Sequence, residues 1–409
     1  MAPNEFLPSR RALAVKSCAA ALFSLLVAAA PASAVVVTIK TTDNPGEGFN
    51  DPSARVPVGG NPGTTLGAQR LFLFQKAAEM WGEVLGGNIP IIVTAKFTPQ
   101  GGTSVSATLG FARPTTVHRD FAGAVSSQTW YVAAEANELS GTDRNDISPG
   151  ACPVPLTDGK CPEIETEFNS DVDGPVVLGL VDFYYGLDGI TGIDLDFLSV
   201  LLHEIGHGLG VLHLVDGDLG STFFGFIDAY SARLEDATIT PHSFAAMADN
   251  QRVLAMRDDG DLVFKGPAMV EATDALSAGV RNDGAVKVFA PADYLEGSSV
   301  AHVDVSASPD ELMEPFLTQP APHSLDLTTA LLSDIGWPLA AVQTLCGDFN
   351  GDMNITTSDA LGILRVSVGI GSCLLSICDV NSSGLVTTGD AQATLRKAVG
   401  QNVTMNCPA

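Results

Sequence analysis

The segment HEIGHGLGVLH, residues 203–213, contains three histidines and one glutamate. The whole chain of 409 residues has only seven histidines, so this concentration is unusual for its composition. His203 and His207 are four residues apart, a spacing that places both side chains on one face of a helix. Two imidazoles on one face can reach the same ion. The segment therefore predicts a helix that binds a metal.

A third ligand and a catalytic base are predicted within the same segment. Gly210 can adopt the positive φ that other residues resist, so the chain can turn there and bring His213 back toward His203 and His207. Three neutral imidazoles suit Zn²⁺ and leave a fourth position for water. Glu204 follows the first ligand directly and is expected to accept a proton from that water and pass it to a leaving amine. A closed structural zinc site would need a fourth protein ligand, usually cysteine, and none lies nearby.

The pattern H-E-x-x-H-x-x-G-x-x-H resembles the signature of the metzincin zinc endopeptidases at every fixed position. The resemblance implies an α+β catalytic domain built from a twisted mixed sheet, a zinc-binding helix and a C-terminal helix. It also implies a methionine-containing turn, the Met-turn, beneath the zinc. Met313 in DELMEPF (310–316) is the best candidate, since its Leu-Met-x-Pro context resembles the matrix-metalloprotease-like branch. Pro315 stands where some branches place a tyrosine, so no tyrosine role is expected.

Hydrophobic periodicity predicts elements of both types around the histidine segment. Apolar residues that recur at helical spacing indicate amphipathic helices, and short apolar or alternating runs indicate strands. Asp194 or Asp196 can cap the zinc-binding helix, and Ser324 or Asp326 the last one. The predicted strands are 35–40, 89–97 and 163–169, and the predicted helices are 65–85, 194–209 and 324–336.

Residues 35–340 are expected to form the catalytic domain, with a long insertion at about 216–300. Only short strand-like pieces, at 262–264 and 286–290, can be recognised in this insertion, so its fold does not follow from the sequence. Four histidines outside the motif have no ligand spacing, although the last two flank Met313. They are His118, His242, His302 and His323.

From Cys346 onward the chain contains an internal repeat, in which residues 348–369 align with residues 379–400. Each unit begins with oxygen-bearing residues at loop positions 1, 3, 5 and 12 and a carbonyl at position 7, the pattern that Ca²⁺ requires. The candidate ligands of the first loop are Asp348, Asn350, Asp352, Asp359 and the Asn354 carbonyl. Those of the second are Asp379, Asn381, Ser383, Asp390 and the Leu385 carbonyl.

The doubled unit resembles a type I dockerin. The resemblance implies a small α-helical calcium-binding module over 341–409 that attaches the protein to a cohesin-like or cell-surface partner. It places the partner contacts at Thr357-Ser358 and Thr388-Gly389. Met353 replaces the usual loop glycine in the first unit, whereas the second retains Gly384. The first calcium site is therefore expected to be weaker.

The N-terminus has the three parts of an export signal. A basic region containing Arg10, Arg11 and Lys16 precedes an apolar run over 18–30, and residues 32–34 form an A-x-A cleavage site. Residues 1–34 are therefore expected to be removed on secretion to the extracellular space. General secretion is favoured, although residues 9–13 loosely resemble a twin-arginine signal. The chain has no second long apolar run, so no membrane span is expected.

Cysteine usage agrees with export. Six cysteines remain beyond Cys18, and an even number in an exported chain indicates disulfides. Cys152 and Cys161 bracket a short loop and are expected to pair. The four C-terminal cysteines allow three pairings, of which Cys346–Cys373 with Cys378–Cys407, one bond per repeat, is favoured.

The net charge of −26 disfavours nucleic acid and anionic membranes as partners. The motif and the repeat together predict a secreted zinc-dependent endopeptidase that binds structural Ca²⁺ and acts on proteins or peptides. Two alternatives stay open. One is a non-catalytic extracellular scaffold or adhesin with a metzincin-like binding domain. The other keeps the enzyme but makes the repeat a calcium-stabilised stalk without a cohesin partner.

Overall fold

The computed structural model describes residues 34–145, 156, 159–340, 345–350, 354–370 and 373–408. Contacts separate Met1–Pro31, which lies outside the described residues, from Ala32–Ala409, which contains every element below. The predicted signal segment up to residue 33 is therefore not described, and neither are Cys152, Asp352 and Met353. No helix within the described ranges is long and apolar enough to cross a membrane.

Strands and helices are intermixed along the described chain, as expected for an α+β protein. The strands are β1 (Val37–Thr41), β2 (Ile91–Thr98), β3 (Gly110–Pro114), β4 (Val117–His118), β5 (Thr129–Val132), β6 (Ile164–Asn169), β7 (Phe183–Tyr184), β8 (Leu195–Asp196), β9 (Ile227–Asp228), β10 (Leu234–Asp236), β11 (Leu262–Phe264) and β12 (Val286–Lys287). The helices are α1 (Leu66–Val84), α2 (Ala133–Ser140), α3 (Phe197–Leu209), α4 (Asp249–Ala255), α5 (Pro267–Ala272), α6 (Asp326–Ile335), α7 (Thr357–Ser367), α8 (Leu375–Cys378) and α9 (Thr388–Ala398).

The main sheet has four strands in the order β1-β2-β6-β3. β1, β2 and β6 are parallel, whereas β3 runs antiparallel to β6. The sheet is therefore mixed, as predicted. β3 lies at one end of the order, and its outer edge pairs with no other strand in the described part of the chain.

Helices α1 and α3 pack against each other and against the sheet. An aromatic cluster fills the space between them, with the Phe74 and Phe168 ring centroids 5.6 Å apart and those of Phe168 and Phe197 5.2 Å apart. Fully burying one such side chain contributes about 1.5–3 kcal/mol to stability. The Trp81 indole of α1 also donates a hydrogen bond to the Leu202 carbonyl at 3.1 Å. These contacts fix α3 within the core.

Helix α3 is the predicted zinc-binding helix, and it begins later than residue 194 because β8 occupies residues 195–196. Of the two predicted caps the structure selects Asp196, which accepts a hydrogen bond from the Ser199 backbone at 3.0 Å. The helix ends at Gly210, whose φ of 125° would strain most other residues. Every residue of α3 except His203 and His207 is buried. His203 and His207 are therefore the only side chains of this helix that are accessible to a ligand.

The long segment between α3 and Met313 packs into the same core as the first helices. Its three-stranded sheet has the order β10-β11-β12, and α5 packs against α6. Buried side chains such as Phe244, Met256 and Phe264 belong to the same hydrophobic core as α1 and α3. The insertion therefore contributes to the core that supports the histidines.

The C-terminal repeat has a small core of its own, formed by Ile363, Cys378 and Ala391. Helices α7 and α9, one from each unit, pack directly on each other. Each begins with a threonine whose side chain meets an aspartate three residues later, at Thr356–Asp359 and Thr387–Asp390.

The favoured pairing of the C-terminal cysteines is wrong. The structure joins Cys346 to Cys407 and Cys373 to Cys378, with Cα separations of 5.5 and 6.1 Å. Both separations suit a disulfide, whereas a bond within each repeat would need the cysteines arranged differently. Cys161 is disulfide-bonded as well, and its predicted partner Cys152 lies outside the described residues.

Candidate metal centre

Three histidine side chains converge beside α3. His203 and His207 come from the helix, and His302 comes from the loop that follows β12. The Nε2 atom of His207 lies 3.0 Å from that of His203, and each of these lies 3.1 Å from the Nε2 atom of His302. We call this group the histidine trio. The centre of such a triangle is about 1.8 Å from each nitrogen, close to the ~2.0–2.1 Å of a Zn–N bond.

The opposite nitrogen of each ring is held by the backbone. The Nδ1 atoms of His203, His207 and His302 lie 2.7, 2.6 and 2.7 Å from the carbonyls of Leu312, Val211 and Ser298. A carbonyl can only accept, so each Nδ1 carries the proton and each Nε2 presents a lone pair. Carbonyl partners of this kind also fix the orientation of metal-binding imidazoles.

Three lone pairs that face one another at 3.0–3.1 Å cannot satisfy each other. Adding protons is unfavourable as well, because burial lowers the pKa of all three imidazoles, and that of His207 to about 3. Neighbouring imidazoles lower the pKa values of His207 and His302 further. A cation at the centre resolves the repulsion. The trio therefore fits a borderline-soft divalent ion such as Zn²⁺.

The structure corrects the identity of the third ligand, because His213 is not part of the trio. The chain after Gly210 is held on another segment, since the Leu214 backbone donates to the Asp228 carboxylate at 2.9 Å. Beside this anchor, His213 Nε2 lies 3.3 Å from the Tyr294 hydroxyl. The His213 ring is close enough to His302 to lower the pKa of His302. The position predicted for the third ligand, however, is occupied by His302 and not by His213.

Glu204 is buried between α3 and the edge strand β3. Its carboxyl lies near enough to the Ala112 backbone, in the middle of β3, for that backbone to lower its pKa, and its Oε2 atom is buried without a hydrogen-bond partner. Burial raises the pKa of this carboxyl to about 8. A buried carboxyl with a free oxygen and a raised pKa has the properties of a general base or acid that works near neutral pH.

Met313 lies beneath α3. A Cβ atom added to Gly206, which lies between the two helical ligands, would come within 2.8 Å of the methionine sulfur. The same turn supports two ligands through its backbone, since Leu312 accepts from His203 and the Met313 carbonyl accepts from Val303 N, next to His302, at 2.8 Å. This is the position predicted for the Met-turn. Met247, Met256 and Met269 are buried in the same hydrophobic core as Met313.

The remaining histidines lie outside the trio. His118 Nε2 is 3.0 Å from the Thr116 hydroxyl, and burial lowers its pKa to about 4. His242 donates to the Ile239 carbonyl at 2.8 Å. His323 lies 3.1 Å from the Asp196 carboxylate at the start of α3. Among these residues and His302, sequence spacing alone could not single out the ligand.

In the second C-terminal loop, the Ser383 hydroxyl bonds to the Asp379 carboxylate at 3.2 Å, so two of the candidate calcium ligands are adjacent. The two oxygens of Asp379 accept hydrogen bonds from the backbones of Ser383 and Gly384, at 2.9 and 2.6 Å. Asp390 accepts from Thr387 through one oxygen, while its Oδ1 atom is buried without a hydrogen-bond partner. The Ser383 hydroxyl lies 3.1 Å from the Leu385 carbonyl. These oxygens fit a hard cation such as Ca²⁺.

The first loop is described only in part. Asp348 and Asp359 are buried, and Asp359 accepts hydrogen bonds from the backbones of Asn350 and Thr356 at 3.1 and 2.8 Å. Asp352 lies outside the described residues. The two units therefore share one arrangement at position 12 of each loop, where Asp359 and Asp390 each accept a hydrogen bond from the backbone of the threonine three residues earlier.

Neither a scan against protein-family models nor a search of curated proteins finds a match to this chain. Among the described residues, the histidine trio is the only set of three His, Cys, Asp or Glu ligand atoms that lie within 4.8 Å of one another.

Proposed function

We propose that this protein is a secreted zinc-dependent endopeptidase. The observation that carries the proposal is the histidine trio, whose Nε2 lone pairs converge while all three Nδ1 atoms are held by carbonyls. Four-coordinate zinc held by three protein ligands keeps a position for water. Two disulfides and the acidic composition suit a protein that works outside the cell.

Glu204 supplies the proton transfers in this proposal. Bound zinc would lower the pKa of a water molecule and polarise the scissile carbonyl. The free Oε2 atom of Glu204 accepts the proton as water attacks, and the protonated carboxyl then donates it to the departing amine. The raised pKa of Glu204 favours this second step, since the protonated form is accessible near neutral pH. The buried setting keeps bulk water from competing for the proton.

The edge strand β3 supports a peptide as the substrate. Ala112 in this strand contacts Glu204, so the unpaired edge of β3 lies beside the catalytic carboxyl. An extended peptide can add to such an edge through backbone hydrogen bonds, and its side chains then decide specificity. An extended main chain bound at this edge would lie near Glu204. It favours an unfolded or flexible protein segment over a small molecule.

Zinc analysis and a cleavage assay test the proposal together. The purified protein is expected to contain one tightly bound zinc and to cleave casein, and a chelator is expected to abolish both properties. Added zinc restores them, because the three ligands are already positioned. A protein that holds zinc but cleaves nothing in a broad peptide library would instead support the scaffold or adhesin alternative.

We further propose that the C-terminal module binds Ca²⁺ and attaches the enzyme to a cohesin-like or cell-surface partner. The paired aspartates at the ends of both loops and the unpartnered Oδ1 atom of Asp390 support the calcium sites. A pull-down against cohesin domains, with and without chelator, separates attachment from the stalk alternative. Binding that needs calcium supports attachment, and no binding in calcium supports the stalk.

The Asp390→Asn variant is expected to weaken calcium binding at the second site by about tenfold or more, since ligand charge sets the affinity of such loops. Asparagine keeps an oxygen to accept from Thr387, so the cap of α9 is retained. Isothermal titration with Ca²⁺ measures the change. Asp359→Asn in the first loop is the matched variant, and a smaller effect is expected there because Met353 replaces the loop glycine. Equal affinity of wild type and Asp390→Asn would contradict the assignment.

A further inference from the structure

The loop that carries His302 contains a strained residue. Val300 has a φ of 71° and is fully buried. This left-handed region is unfavourable for any residue with a side chain, and a β-branched residue is a clear outlier there. Such a conformation persists only where surrounding contacts impose it, and it is concentrated at functional sites. Val300 lies two residues before the third ligand of the trio.

A buried tyrosine imposes this conformation. The Tyr230 hydroxyl donates to the Val300 carbonyl at 2.6 Å, and the Tyr230 ring packs on Phe264 with centroids 5.3 Å apart. The ring is buried, so the hydroxyl has a fixed position in the core. Tyr230 lies just after β9, in the insertion whose fold the sequence does not reveal. Tyr230 thus connects the segment after β9 to the loop that carries His302.

The rest of the loop is closed by its own backbone. Val300 N donates to the Phe289 carbonyl at 2.7 Å, and Phe289 N donates to the His302 carbonyl at 2.9 Å. Ser298, on the other side of Val300, provides the carbonyl that accepts from His302 Nδ1. A change of φ at Val300 would therefore move the Ser298 carbonyl relative to the His302 ring. Backbone geometry at Val300 and ring orientation at His302 are coupled.

We infer that Tyr230 is a positioning residue for the metal centre: by holding the Val300 carbonyl it keeps Val300 in the left-handed region and aims His302 Nε2 at the other two histidines. The inference rests on the proposed zinc site but not on peptide hydrolysis. Helix α3 fixes two ligands by its own spacing, whereas the third comes from a loop and needs an external anchor. Tyr230 is that anchor.

The test compares zinc affinity in Tyr230→Phe with wild type, using a competing chelator. Loss of the hydroxyl is expected to weaken zinc binding about tenfold, the lower end of the range for residues that support metal ligands. The absorption spectrum of the Co²⁺-substituted protein is expected to change as well, because the geometry at His302 relaxes. Tyr185→Phe is the matched control, since its buried hydroxyl bonds to Asp173 and Arg70 instead of to this loop. It should keep wild-type zinc affinity and cobalt spectrum.

A Tyr230→Phe protein with wild-type zinc affinity and cobalt spectrum would overturn the inference. If that variant does not fold, the double variant Tyr230→Phe/Val300→Gly provides a second measurement. Glycine adopts a φ of 71° without strain, so the turn no longer depends on the tyrosine hydroxyl and zinc affinity is expected to stay close to wild type. A tenfold or greater loss of affinity in the double variant would likewise overturn the inference. Wild-type protein that binds no zinc would overturn the proposed metal centre itself, a result distinguishable from equal binding by wild type and variants.

Discussion

Peptide hydrolysis by the Glu204→Gln variant is expected to fall by about three orders of magnitude, within the range that general acid–base groups contribute. Glutamine has nearly the same shape and still presents an acceptor oxygen, but it cannot take a proton from water. The zinc content should stay at the wild-type value, because Glu204 is not a member of the trio. Steady-state cleavage of casein and of a fluorogenic peptide, with metal analysis of the same samples, measures both quantities.

Glu135→Gln is the control for this experiment. Glu135 is also a fully buried glutamate with a carboxylate oxygen that lacks a hydrogen-bond partner, and burial likewise raises its pKa. It lies on α2, where its carboxylate faces Gly210 and Gly336, and its pKa responds to Asp228 instead of to Ala112. Glu135→Gln should therefore retain activity. A Glu204→Gln protein that cleaves as fast as wild type would show that the proposed mechanism is wrong.

The second large effect concerns the identity of the third ligand. His302→Ala is expected to lose zinc, because removing one of three nitrogen ligands forfeits roughly a third of a binding free energy of about 10 kcal/mol or more. That loss corresponds to a hundredfold or greater decrease in affinity, at about 1.4 kcal/mol per tenfold. Competition with a chelator of known affinity measures it, and casein cleavage should disappear at limiting zinc.

His213→Ala is the paired variant, since the sequence motif and the structure disagree about this residue. The structure places His213 beside Tyr294, so its loss is expected to leave zinc affinity close to wild type. The sequence motif instead predicts that His213→Ala loses zinc. Zinc loss in His213→Ala with retention in His302→Ala would restore the ligand set predicted from spacing and contradict the trio.

Local patterns in the sequence predicted the elements that they encode directly. Helical periodicity predicted α1, and an apolar run predicted β2. The i,i+4 spacing of His203 and His207 predicted a shared face because a helix fixes that distance within itself. The cap of α3 behaved similarly, since Asp196 lies immediately before the helix and bonds to a residue three positions later. The cap prediction for α6 was wrong, because Leu325 lies at its N-cap without a side-chain cap and Ser324 accepts only from the Asp326 backbone, at 3.2 Å.

The third ligand could not be obtained in the same way. His302 is separated from His203 by 99 residues, and its position depends on Tyr230, Phe289 and Met313. No local spacing records such contacts. The motif instead offered His213, whose distance from His207 was compatible with a tight turn but whose backbone is anchored elsewhere. The insertion was equally difficult, because β10, β11 and β12 are too short to show a period.

Disulfide pairing failed for a related reason. The repeat suggested one bond per unit, but a repeat in sequence does not fix which cysteines meet. Cys373 and Cys378 are only five positions apart and close a local loop, whereas Cys346 and Cys407 are separated by 61 positions. Loop-closure entropy favours short loops only weakly, so sequence separation alone does not predict the pairing.

The Cys346–Cys407 bond has a consequence for the lifetime of a protein that would work among proteases. It joins the start of the C-terminal module to its end, so one backbone cut inside the module leaves both fragments covalently connected. A cut between the two cores before Cys346, by contrast, separates the module in a single step. If the module attaches the protein as proposed, a single cut inside the module therefore does not release the protein, whereas a cut before Cys346 does.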